Sequence, residues 1–203
     1  MGTSMYYTNL LILLVIFISG CASTPSDGSS DGAQATQPTT ITASGEVIAL
    51  YRQAITELNN NQLEKAEISF LEMIKLQPDL AGPWANLALL YIKQKQYDKA
   101  EQNIQAALKR NPGMAQALNL RGYIESTKGH INKAKELYEK AITSKPDYAL
   151  AHYNLALLYD VYLQNIPKAI EHYQRYLTLI EDKDPKTKDW VEELKRNIKS
   201  GKA

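Results

Sequence analysis

An all-α solenoid of four helix-turn-helix units, closed by one further helix, is the fold this sequence predicts. Two observations carry that prediction. Ala66, Ala100 and Ala134 fall 34 residues apart, and Ala169 follows at 35. Within each period the apolar residues keep helical spacing: Trp84, Leu87, Ala88 and Tyr91 sit at i, i+3, i+4 and i+7. A fixed period of this length marks stacked supersecondary units, and the inner spacing marks amphipathic helices.

The first 20 residues read as an export signal. Leu10 to Ile18 is an unbroken apolar run, followed by Ser19, Gly20 and Cys21. Such a run suits a signal-peptide core of roughly 7–15 residues, whereas a spanning helix needs about 20. Met1 to Asn9 contain no Lys or Arg, so the terminal amine is the only positive charge ahead of it. Ile18-Ser19-Gly20-Cys21 resembles the lipobox of bacterial lipoproteins. That resemblance implies cleavage before Cys21 and lipidation of its thiol. By the same resemblance, Ala22 implies the outer membrane, with the domain facing the periplasm. Cys21 is the only cysteine, so no intramolecular disulfide can form.

Residues 21–45 are expected to be the lipidated cysteine and a disordered tether. Ala22 to Ser44 hold no aromatic residue and one large aliphatic, Ile41, too little apolar surface to offset ordering entropy. These 23 residues span about 25 Å as a flexible coil.

The repeats occupy 46–183, with units at 47–80, 81–114, 115–148 and 149–183. Pro78, Pro112 and Pro146 share the 34-residue period, as do Ala54, Ala88, Gly122 and then Ala156. Phe70, Ile104, Tyr138 and Tyr173 keep step, the last after one extra residue placed in the loop around Leu163 to Asn165. Each proline stops a second helix before it runs into the next unit. The Ala and Gly columns imply close helix crossings, where a side chain beyond a methyl group does not fit. Ala88 and Ala100 should meet at one of them.

This pattern resembles the tetratricopeptide repeat family. Trp84, Leu87, Ala88, Tyr91, Tyr97, Ala100, Ala107 and Pro112 stand in the family's places. The resemblance implies a right-handed solenoid. The departures are Glu57 and Glu125 where Tyr91 and Tyr159 stand, and Arg121 where Leu87 stands. They predict looser packing in the first and third units. Residues 184–200 read as a capping helix: Asp184 caps, Pro185 opens the first turn, and Trp190, Val191, Leu194 and Ile198 form one apolar face.

Composition points away from several function classes. With 23 basic and 22 acidic residues, no strong field favours nucleic acid. His130, His152 and His172 show no metal-ligand spacing, and His152 takes the place of Trp84 as a packing substitute. No serine elbow or glycine-rich phosphate loop is present. Acidic and basic residues alternate along the helices, as on a solvated face. The expectation is a binding protein with no catalytic residues, cofactor, metal or small-molecule substrate.

The family resemblance places a concave groove on the first helix of every unit. Its columns are Tyr51, Ala85, Asn119 and Tyr153; Ile55, Leu89, Tyr123 and Leu157; and Asn59, Lys93, Thr127 and Val161. Asn86 and Asn154 stand where family members often hold a peptide backbone. Tyrosines offer an apolar face with a polar tip, and Lys93 is the only cation in these columns. An apolar or helical peptide or protein partner is expected. The alternative is a self-associating structural module that recruits nothing. Lipobox, tether and repeats together resemble pilotin lipoproteins of type IV pilus secretin assembly and repeat lipoproteins that dock cell-wall hydrolases, which implies a scaffold for an envelope machine.

Overall fold

The computed structural model describes residues 44–201. The apolar run, Cys21 and almost all of the tether lie outside the described residues. Among those described there are nine helices and no strand. They are α1 (Gly45–Asn59), α2 (Leu63–Leu76), α3 (Ala81–Lys93), α4 (Tyr97–Arg110), α5 (Ala115–Thr127), α6 (Ile131–Ser144), α7 (Ala149–Val161), α8 (Ile166–Leu179) and α9 (Pro185–Lys199). Helices α1 to α8 pack as four consecutive antiparallel pairs, and α9 packs on α8. First helices also touch directly, α3 on α5 and α5 on α7, so these three form one continuous wall.

Punctuation in the sequence explains the helix ends. The second helices stop at Leu76, Arg110 and Ser144, two residues before Pro78, Pro112 and Pro146. Inside each unit the turn carries one residue with positive φ: Asn61 (57°), Lys95 (59°), Gly129 (80°) and Gln164 (50°). Their spacing is again 34, 34 and 35, and the extra residue lies in the turn between α7 and α8. Left-handed backbone is what lets a three- or four-residue link reverse the chain this tightly. At the far end Asp184 accepts from the Thr187 backbone N–H at 3.1 Å and starts α9.

The small-residue columns lie inside the stack. Ala54, Ala88 and Ala156 on first helices, and Ala66, Ala100, Ala134 and Ala169 on second helices, are all fully buried. Gly122 shows why a methyl group is already the limit. A Cβ there would lie 2.6 Å from Tyr138 Cε1, so the ring uses the space that a methyl group takes elsewhere. The same two repeat positions in the second unit hold Ala88 and Ile104, both buried.

The expected loosening at Glu57 and Glu125 is not what the structure shows. Glu125 is only 6% exposed, yet Lys133 Nζ reaches its Oε1 at 2.7 Å and His130 Nδ1 its Oε2 at 2.8 Å. Glu57 accepts from Ser69 Oγ at 2.8 Å. In the second and fourth units the tyrosine at this place donates backwards instead: Tyr91 Oη to Glu67 at 2.6 Å, and Tyr159 Oη to Glu139 at 3.5 Å. A carboxylate here ties its own two helices together, whereas a phenol ties its unit to the preceding one.

The histidine at the tryptophan position keeps the tryptophan's bond. Trp84 Nε1–H donates to the Pro78 carbonyl at 3.1 Å, and His152 Nε2 meets the Pro146 carbonyl at the same distance. That bond requires the proton on Nε2, so His152 Nδ1 accepts from His172 Nδ1–H at 3.1 Å. The His172 ring also stacks on Tyr159. Burial holds both imidazoles below their ordinary pKa of 6.5.

Three outcomes are expected. Gly122→Ala gains about 1 kcal/mol of helix propensity but overpacks against Tyr138 at about 1–3 kcal/mol. It should therefore lower the melting temperature, and adding Tyr138→Ile should restore it. Ala100→Leu, with no larger partner to trim, should cost about 1–3 kcal/mol; a melt without loss would remove the close-crossing account. The fold favours neutral His152 and His172, so it binds fewer protons than the unfolded chain. Stability should be full above the ordinary histidine value and fall as pH drops below 6.5. His172→Gln should flatten that segment of a urea-denaturation profile taken against pH.

Candidate partner-binding groove

The wall of first helices divides into residues committed to stacking and residues left free. Asn86 and Asn119 belong to the first group, at 3% and 4% exposure. Gln116 Nε2 donates to Asn86 Oδ1 at 2.9 Å, and Asn154 Nδ2 to Asn119 Oδ1 at 2.9 Å. These amides join α3 to α5 and α5 to α7. They satisfy one another across the stack, as buried polar groups must, and are not a free ladder for a peptide backbone. Ala85, Ile55 and Leu89 are buried as well. For Asn86, Asn119, Ile55 and Leu89, then, the structure corrects the expected groove: they hold the wall up.

The free group is aromatic. Tyr51, Tyr123 and Tyr153 are partly exposed, with Leu157 beside the last, and Lys93, Asn59 and Thr127 are open to solvent. Asn154 is partly exposed too, but its amide is engaged with Asn119. Burial is the main cause that pushes the Tyr123 phenol up to about 12, and the Tyr97 hydroxyl adds to it. Tyr153 is also pushed up to about 12, by burial first and then by Asp184 and Asp160. Both phenols are neutral at pH 7, each able to donate and accept one hydrogen bond while showing a ring face.

The end of the wall holds a set that sequence reasoning missed. Tyr153 lies edge-on to Tyr173, with centroids 5.8 Å apart, and 5.0 Å from the Tyr176 ring. Asp160 Oδ2 accepts from Trp190 Nε1 at 2.7 Å and from Tyr173 Oη at 3.3 Å. Burial raises the Asp160 carboxyl, and these two donors pull it back down. Tyr176 Oη donates to Asp184 Oδ2 at 3.2 Å. A signal was present: Leu58, Ile92, Ser126 and Asp160 share one repeat position, and a carboxylate stands out in that column. Through these bonds α9 closes over α7 and α8. It does not pair with α1, α3 or α5, so the wall around Tyr51 and Tyr123 stays clear of it.

Among the described residues no three His, Cys, Asp or Glu side chains are arranged to hold a metal. No described helix is long and apolar enough to cross a membrane. The chemistry on offer is contact: rings and hydroxyls.

Comparison with known proteins agrees with this geometry. Models of the tetratricopeptide repeat match residues 81–114 and 115–148. The chain is 32% identical over 146 residues to the uncharacterized protein ycf37 of Cyanophora paradoxa, covering 69% of this chain and 81% of that one. It is 31% identical over 134 residues to the mitochondrial import receptor subunit TOM70 of Rattus norvegicus, covering 64% of this chain but 22% of the receptor. Two solved structures share the fold. A Pseudomonas aeruginosa pilF structure aligns with a TM-score of 0.65 at 18% identity, covering 76% of this chain and 69% of its own. The thermophilic TPR protein TTC0263 of Thermus thermophilus aligns at 0.62 and 21%, covering 74% and 81%. The periodic columns, the paired helices and these matches together make this chain a member of the tetratricopeptide repeat family.

Proposed function

We propose that this chain is a protein–protein interaction scaffold that grips an apolar or helical peptide segment of its partner on the wall of first helices. One observation carries the reading. Tyr51, Tyr123 and Tyr153 remain partly exposed on a wall where Ile55, Leu89, Asn86 and Asn119 are buried in the stack. Rigid aromatic rings with hydroxyl tips give large contact area at small entropy cost. The similarity to a protein named as an import receptor supports recognition of other chains.

The scaffold is membrane-anchored in this reading. Cys21 carries the lipid, the tether spaces the repeats from the outer membrane, and the repeats face the periplasm. There they assist assembly of an envelope machine for pili, secretion or the cell wall. Support comes from the sequence: the apolar run ends at the only cysteine, and a polar segment follows it.

A photoreactive residue at Tyr123 in the full chain, expressed in its own cells, should crosslink to a distinct protein. Tyr123→Ala should weaken capture of that protein by about 2 kcal/mol, roughly 30-fold, measured well below the variant's own melting temperature. Crosslinks only to further copies of the chain would replace recruitment with self-association. Mass analysis of Cys21 tests the anchor separately, and an unmodified thiol would remove it.

A further inference from the structure

The outer face of the first unit carries two exposed aliphatic residues that its repeat position does not call for. Ile68 is 65% and Leu71 48% exposed on α2. At the position of Ile68 the other units have Gln102, Glu136 and Glu171; at that of Leu71 they have Gln105, Glu139 and Gln174. All six are exposed, so the stack needs polar residues here and gains nothing from aliphatics. Ile48 and Leu76 are also exposed in the first unit.

The position of this patch along the chain points to what covers it. The tether enters the fold at Ser44, whose N–H donates to Gln77 Oε1 at 3.1 Å, just past the end of α2. At 1.5 Å per residue, Leu71 and Ile68 lie about 9 and 14 Å along α2 from that point. The 23 residues from Ala22 to Ser44 reach about 25 Å, so any surface that holds Cys21 is within range of the patch. Tethering at that range acts as a local concentration on the order of millimolar, enough for two side chains to make a contact too weak to form alone. Glu64, Lys65, Glu72 and Lys75 surround the patch and cancel in charge, so insertion of aliphatics rather than attraction to lipid headgroups drives the contact.

We propose that Ile68 and Leu71 dip into the bilayer that carries the lipid anchor and lay the first unit against the membrane. This rests on the anchored reading above. The contact would hold the outer face of α2 down and leave the inner wall free for a partner.

The test uses the full lipidated chain in phosphatidylcholine vesicles, with an environment-sensitive fluorophore on Glu72→Cys. A second sample carries it on Lys140→Cys, which occupies the same repeat position two units on. Lipid-borne quenchers should dim the label at 72, leave the label at 140 bright, and lose their effect at 72 when Ile68→Gln and Leu71→Gln are added. Equal brightness at both sites on vesicles that co-float with the protein would overturn this proposal while sparing the anchor. Failure to co-float would overturn both. Shielding at 72 without access to the lipid quencher would assign the patch to a second copy and overturn the membrane contact.

Discussion

The first and second helices of each unit cross so closely that the crossing residues can carry a methyl group or nothing. Ala54 and Ala66, Ala88 and Ala100, Gly122 and Ala134, and Ala156 and Ala169 are the small residues of the first and second helix in each unit, every alanine among them fully buried. Each crossing fixes the angle within a pair, and the angle fixes where the next pair can sit. Because interiors are packed like crystals, a crossing cannot open gradually to admit a larger group. The wall of first helices therefore follows from a column of the smallest side chains, and every partner-facing residue takes its position from it.

Once pairs are fixed, the links between them vary. Tyr91 and Tyr159 donate to Glu67 and Glu139 of the preceding second helices, binding unit to unit. Glu57 and Glu125 close on Ser69 and on Lys133 with His130 inside their own units. Lys133 and, more weakly, His130 hold the Glu125 carboxyl below its ordinary value of 4.5 although burial opposes them. That contribution is present above the ordinary carboxylate value and is lost as pH falls through the lowered one. A solenoid is a sum of unit and neighbour terms, so the tyrosine links add to the first–second and third–fourth junctions, while Gln116 with Asn86 and Lys128 with Glu101 join the second unit to the third.

The repeat, the turns and the helix ends were legible in the sequence because each depends on a residue type with a strict steric meaning. Ala and Gly mark crossings, the prolines follow helix ends, and Asp184 with Pro185 opens α9. The substitution of His152 for Trp84 could be read as packing, but its identical bond to a proline carbonyl needed coordinates. The groove was legible only as a set of columns. Asn86 and Asn119 look like peptide ligands by type and position, yet an amide that can bind a backbone can equally bind another amide. Which partner it takes depends on a 2.9 Å approach between helices about thirty residues apart, and no local pattern encodes that. Asp160 escaped notice for the opposite reason: a lone carboxylate in a column of Leu58, Ile92 and Ser126 looks like a solvated end until Trp190 and Tyr173 are seen to converge on it.

Stacking and recognition compete for the same helix faces, and that competition shapes what this wall can bind. Polar groups able to read a backbone are the ones most useful for satisfying buried neighbours, and here the stack has taken them. What it leaves exposed are rings that no neighbouring helix covers completely: Tyr51, Tyr123 and Tyr153. Burial disfavours the charged form of the Tyr123 and Tyr153 phenols, so these two discriminate by shape and single hydrogen bonds rather than by charge. With Lys93 the only cation in the three columns, a ligand selected by its carboxylate would find one point charge and no fork to clamp it. A ligand with apolar side chains would find rings at the first, third and fourth units, each placed by the helix pair beneath it.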